Sequence, residues 1–231
     1  MTEYSVPLAN RIARAILRPA CRLLFYTLSD VTITGKDNIP AQGSYVIAYN
    51  HISHVEPPMV LAFWPVTPEA LGAIEVWQRP GQDLLARLYH GIPIHRGELD
   101  HQPLKLIIAA LQSGRILCMA PEGRREHQPG MNRARPGAAF IVEKTGAQVV
   151  PVAIVGTSDQ FLPDAFRFKH PKVAMHIGKP IQLPPVQGRG AERRRSLQAN
   201  ADQIMLSIAS MMPPEYRGVY LHPEDLSCPE E

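Results

Sequence analysis

Short apolar runs separated by amphipathic helical stretches limit most strongly how this chain can fold. Residues 44–49, 115–119 and 148–155 are nearly continuous in apolar side chains and bounded by polar or turn-forming residues. Such runs read as strands buried on both faces. Residues 69–76 and 172–177 add two further strands. Between them, residues 57–64, 82–89, 102–113, 136–145 and 191–212 read as helices. This alternation predicts an α/β fold: a single domain with a mixed, mostly parallel sheet flanked by helices on both faces. With 231 residues, 45% hydrophobic and 19% charged, the chain can bury one substantial core. A second full domain is not expected.

Residues 7–27 read as an amphipathic helix, with Pro19 placed to kink it. Arg11, Arg14, Arg18 and Arg22 fall on one narrow arc, and Leu8, Ile12, Ile16, Leu23 and Leu24 lie opposite. The pattern fits an interfacial helix with its apolar face in the acyl boundary and its arginines on anionic head groups. It fits equally an ordinary helix packed on the core with a solvated arginine face. The longest apolar stretch, 57–66, is far below the ~20 residues of a spanning helix, and no signal peptide is evident. Cys21, Cys118 and Cys228 are scattered and odd in number, which suggests a reducing compartment and no disulfide framework. A formal net charge of +3 gives little reason to expect a polyanionic partner, and no nucleic acid is expected.

The polar motifs follow the strands, where ligands bind in open α/β sheets. Asn50-His51-Ile52-Ser53-His54-Val55-Glu56 comes first, directly after the run 44–49 and before Pro57-Pro58. A neutral imidazole accepts a hydroxyl proton best when a carboxylate holds its other nitrogen. Glu56 can reach back to His51 if the intervening residues form a tight turn, which the prolines favour. No serine or cysteine nucleophile motif precedes the histidine, so the hydroxyl is the substrate's. A metal-dependent hydrolase using His51, His54 and Glu56 is the alternative, although the spacing is not that of a helical zinc motif. A non-catalytic lipid-binding protein is a second one.

Ile92-Pro93-Ile94-His95-Arg96-Gly97 ends a short strand in an arginine suited to phosphate and a glycine that permits close approach. Pro121-Glu122-Gly123-Arg124-Arg125 puts two arginines and a carboxylate on a glycine-containing loop. Glu122 is expected to pair with an arginine or bind a substrate hydroxyl, because a buried carboxylate needs partners.

These blocks, with Val150-Pro151-Val152-Ala153-Ile154, stand in the order and spacing found in glycerolipid acyltransferases. Over about residues 30–180 the chain resembles the PlsC-type lysophosphatidic acid acyltransferases. The resemblance implies acyl transfer from acyl-CoA or acyl-carrier protein to a lysophospholipid hydroxyl, with no cofactor or metal. It implies His51 as general base and Glu56 as its orienting carboxylate. Arg96, Gly97, Glu122, Gly123 and Arg125 would bind the acceptor's glycerol and phosphate, and Pro151 would lie near the donor or shape the site. It also implies peripheral attachment to the cytoplasmic face of a membrane with anionic lipids. The expected organisation is a membrane-associating helix at 1–29, a catalytic domain at 30–212 and a tail at 213–231. Three positions depart from the family pattern. Glu56 stands where aspartate is usual, and Arg124 and Glu126 stand where threonine and serine are usual.

Overall fold

Strand β2 (Tyr45–Tyr49) explains the layering of the protein. All five of its residues are buried, and they alternate between two cores. Val46 and Ala48 share one core with helices α4 (His101–Gln112), α5 (Gly137–Thr145) and α7 (Gly190–Ala209). Tyr45, Ile47 and Tyr49 share the other with α2 (Glu56–Phe63), α6 (Phe161–Phe166) and Phe25 of α1 (Leu8–Leu28). A strand can be apolar throughout only when both of its faces are covered. The computed structural model describes residues 4–95, 101–125 and 130–226.

The other strands are β1 (Asp30–Thr34), β3 (Glu69–Ala73), β4 (Ile92–Ile94), β5 (Leu117–Met119), β6 (Gln148–Val155) and β7 (Lys172–Ile177). Together they form one sheet in the order β1-β7-β6-β2-β5-β3-β4. Each pairing is parallel except that of β6 with β7. The mixed, mostly parallel sheet read from the sequence is therefore present, and the elements lie close to their expected positions. The exceptions are β1, an edge strand with half its residues exposed, and the six-residue α6. The expected strand 69–76 stops at Ala73 and turns into a 3-10 helix.

Helix α1 runs through Pro19 without a break; of its four arginines Arg11 is exposed, while Arg14, Arg18 and Arg22 turn toward the protein. Arg14 is buried and forks onto Glu69, at 3.1 Å to Oε1 and 2.6 Å to Oε2. Glu69 is fully buried in β3 and also accepts from Arg115 at 3.0 Å and the Tyr4 hydroxyl at 2.7 Å. Burial opposes the charge on Arg14, but the hydrogen bonds and charge of Glu69 outweigh it and raise its pKa. Arg18 donates to the carbonyls of Leu61 and Trp64, and Arg22 to that of Ala62. Those carbonyls belong to the last turn of α2, where a helix has unsatisfied acceptors and the negative end of its dipole. So Arg14, Arg18 and Arg22 bind the protein itself, which corrects the expectation of arginines on lipid head groups. The apolar arc is the outward one: Leu8, Ile12, Ile16, Leu23, Leu24 and Tyr26 are each 54–68% exposed.

The segment beyond α7 is also more than a tail. Tyr220 is buried, and its hydroxyl donates to Asp202 at 2.8 Å and accepts the Ala134 N–H at 2.8 Å. Gly218, at φ 52°, lies so close to Met131 that an added Cβ would stand 2.3 Å from its backbone. The segment thus buttresses the loop between β5 and α5.

Candidate active site

The site begins where β2 ends. Asn50 is fully buried, and its side-chain amide continues the β2–β6 ladder like an extra peptide unit. It donates to the Ile154 carbonyl at 2.8 Å and accepts the Ile154 N–H at 2.7 Å. The chain then turns through residues 51–55 into α2. Glu56 opens that helix, where the dipole favours a carboxylate.

Within the turn, His51 Nδ1 lies 3.0 Å from Glu56 Oε2. The carboxylate is fully buried and also accepts the Ser53 N–H at 3.0 Å and the Ser53 hydroxyl at 3.1 Å. A carboxylate only accepts, so Nδ1 is the donor, and in the neutral imidazole the lone pair is then on Nε2. Nε2 has no partner among the described residues, and the imidazole is 14% exposed. Ser53 is the member of this arrangement that the sequence reading missed. Its hydroxyl also accepts the Val55 N–H at 3.0 Å, a local turn signal shared by many serines.

His54 turns away to Arg79, at 3.4 Å. Burial, with Arg125 and Arg79 close by, holds its pKa below the ordinary histidine value. Among the described residues, no three His, Cys, Asp or Glu side chains converge as a metal site would require. The hydrolase alternative therefore has no geometric support there.

Glu122 follows β5 and is 2% exposed. Its Oε1 accepts the backbone N–H of His51 at 2.8 Å, and Oε2 accepts that of Asn132 at 2.8 Å. Its carboxylate joins the histidine turn to the arginine-rich loop rather than standing free for an acceptor hydroxyl. Arg125 lies 4.0 Å from Asp159, on the loop after β6, and close enough to His54 to depress its pKa. Arg124 bonds Asn132 Oδ1 at 3.0 Å, and Arg133 pairs with Asp202 at 3.0 Å. Arg135 differs from these three. It is exposed, makes no side-chain hydrogen bond or ion pair among the described residues, and lies flat against Gly123. Gly123 has φ 69°, which favours glycine, and a Cβ there would come within 2.9 Å of Arg135 Cδ and push that side chain aside. The sequence reading missed Arg135, although an arginine thirteen residues after Glu122 and just before Pro136-Gly137 was a visible candidate.

Arg96 and Gly97 lie outside the described residues. Strand β4, which leads to them, pairs with β3 at the sheet edge. Pro151 lies inside β6 opposite Ala48. Its carbonyl accepts the Gly178 N–H at 2.8 Å. Its missing N–H points to that same side, away from β2, so the proline breaks no bond of the central β2–β6 ladder. An open groove of about 510 Å³ between Ile33, Ile39, Phe63, Val66 and Ile177 lies at the opposite end of the strands from His51.

A base–carboxylate pair stands at the C-terminal end of a central strand, joined to an arginine-rich loop. Residues 30–155, more than half of the chain, match the family model described as Acyltransferase, and the chain belongs to that family. It is 24% identical over 163 residues to a 1-acyl-sn-glycerol-3-phosphate acyltransferase of Bacillus subtilis, covering 70% of this chain and 79% of the relative. A protein of the same name from Borreliella burgdorferi is 22% identical over 166 residues, covering 70% and 66%. Among solved structures, the 1-acyl-sn-glycerophosphate (LPA) acyltransferase PlsC from Thermotoga maritima has the same fold. It matches with a TM-score of 0.59 at 24% identity, over 84% of this chain and 78% of that one.

Proposed function

We propose that the protein transfers a fatty acyl group from an acyl thioester, acyl-CoA or acyl-carrier protein, to the free hydroxyl of lysophosphatidic acid or a closely related lysophospholipid. The observation that carries this reading is the His51–Glu56 contact at 3.0 Å, with Nε2 left without a protein partner. Nε2 removes the proton of the acceptor hydroxyl as its oxygen attacks the thioester carbonyl. The buried Glu56 stabilises the imidazolium that forms. The tetrahedral intermediate then collapses, the C–S bond breaks, and the departing thiolate takes the proton back from His51. General-base help of this kind is worth ~10²- to 10⁴-fold in rate. The reaction needs no cofactor beyond the thioester.

Arg125 and Arg135, together with Arg96 and Gly97, hold the acceptor phosphate and so position the hydroxyl. Gly123 lets Arg135 lie close. Glu122 holds the turn that carries His51. The outward apolar arc of α1 supports peripheral seating on a bilayer, with residues 1–29 as the membrane-facing element. No helix among the described residues is long and apolar enough to cross a membrane. Residues 30–212 would form the catalytic domain, closed by the segment that contains Tyr220.

The test is mass spectrometry of the products formed by purified protein from each thioester and a panel of lysolipids. Phosphatidic acid from lysophosphatidic acid, lost in a folded His51→Ala variant, is the expected result. Undiminished transfer in that variant would sink the mechanism.

A further inference from the structure

We propose that the turn after α6, carrying Phe166 and Phe168, is a second point of insertion into an anionic bilayer, separate from α1. Phe161 and Ala165 bury the inner side of α6 in the core that also contains Phe25 of α1, so both helices cover the same face of the sheet. The Phe161 and Phe25 rings lie 6.4 Å apart. The outer side of α6 presents Leu162, 44% exposed, and Phe166, 68% exposed, one helical turn apart. Phe168 follows, also 68% exposed.

This exposure is built in rather than left loose. The N–H of Phe168 bonds the Ala165 carbonyl at 2.9 Å, and that of Lys169 bonds the Asp164 carbonyl at 3.0 Å. Phe168 and His170 adopt φ values of 55° and 48°, a left-handed conformation that bulky side chains rarely occupy. These two bonds cap the C-terminal end of α6, so the fold itself fixes both phenylalanines in exposed positions.

The charge around the turn indicates the occupant. Arg167 and Lys169 flank one carboxylate, Asp164, which lies 3.9 Å from Arg167 and 2.8 Å from Lys169. Arg167 and Lys169 are 68% and 57% exposed at the side chain. Aromatic rings interleaved with long basic side chains suit the membrane interface, where the rings enter the acyl boundary and the cations reach lipid phosphates. The patch also shares its sheet face with the apolar arc of α1, so one bilayer can meet both.

The experiment uses the full-length protein and vesicles of phosphatidylcholine and phosphatidylglycerol. The double variant Phe166→Ser/Phe168→Ser, with an unchanged thermal transition, should partition into these vesicles at least ~10-fold more weakly. Arg167→Glu/Lys169→Glu should lose binding to the anionic vesicles but little of its weak binding to pure phosphatidylcholine. A Phe168→Trp variant should gain an emission component quenched by brominated lipid. Unchanged partition of the serine variant, with no such quenching, would overturn the proposal. So would normal vesicle binding with weakened use of acyl-carrier protein thioester, which would make the patch a protein-docking site. Partition is read without turnover, so absence of acyl transfer would sink the function proposed above and leave this result standing.

Discussion

Glu122 accepts the backbone N–H of His51 at 2.8 Å, so the arginine-rich loop after β5 sets the turn that carries the base. Its other oxygen does the same for Asn132. Glu122→Gln puts an amide NH₂ against one of the two backbone N–H groups, and the turn must shift. A displacement of about 1 Å at a reacting group can cost ~10²-fold in rate. We expect kcat to fall by ~10- to 100-fold with the acceptor KM changed less than ~3-fold. A raised KM at normal kcat would return Glu122 to the acceptor pocket.

Glu56 is one methylene longer than the aspartate usual at this place. It opens α2 and reaches back to both His51 and Ser53, so the turn is built around its buried carboxylate. Glu56→Asp should keep substantial activity, because His51 can follow a carboxylate that withdraws slightly. Glu56→Gln should lose ~10²- to 10⁴-fold, because it cannot stabilise the imidazolium. Steady-state kcat for the two variants decides the matter. Equal collapse of both would mean that the longer side chain fixes the geometry.

Arg135 is expected to hold the acceptor phosphate. Arg135→Ala should raise the acceptor KM by ~10-fold, about the value of one charge-assisted hydrogen bond, with little change in thermal stability. Gly123→Ala should reproduce that effect by displacing the guanidinium, whose Cδ would stand 2.9 Å from the new Cβ. Backbone strain at φ 69° would add some loss of stability in that variant. An unchanged KM in Arg135→Ala would remove the residue from the site.

The layered sheet was legible because period-2 and period-3.6 apolar patterns report burial directly, as the alternation of β2 between two cores makes plain. The His51–Glu56 pair was legible because both partners lie within one turn. Other features depend on contacts across long sequence separations. The sequence placed Arg11, Arg14, Arg18 and Arg22 on one arc of α1 but could not say that the last three turn inward. Their partners are Glu69 and the last carbonyls of α2, which no pattern within α1 reveals. Glu69 itself was a clue, a lone carboxylate entering an apolar strand. Edge strand β1 alternates exposed and half-buried residues and carries little apolar signal. Tyr220 was hidden because its partners, Asp202 and Ala134, come from two other segments.

The Arg14–Glu69 pair fastens α1 to the body, and both side chains are almost wholly buried. Removing one partner of a buried pair leaves a charge without compensation and typically costs 3–5 kcal/mol. Arg115 and Tyr4 still bond Glu69 in Arg14→Ala, so a loss of about 3 kcal/mol is expected, read as a lower denaturant midpoint at similar slope. Arg22→Ala removes bonds to one carbonyl and a cation–π contact with Phe63 at 5.8 Å, and should cost about 1 kcal/mol. Equal effects of the two variants would show that α1 is held by its apolar contacts and not by this pair.

His54 and His90 should make stability fall in acid. Burial lowers the pKa of both, helped by Arg125 and Arg79 at His54 and by Arg14 at His90, while Asp159 and Glu69 oppose it. The unfolded chain, with histidines near ~6.5, binds protons that the folded protein rejects. Stability therefore rises with pH below about 6.5 and levels off above it. His54→Gln combined with His90→Asn should shrink the fall in melting temperature between about pH 7.5 and pH 5.5. Asparagine suits position 90 because the backbone there is left-handed, at φ 57°. An undiminished fall in the double variant would assign the acid sensitivity to other groups.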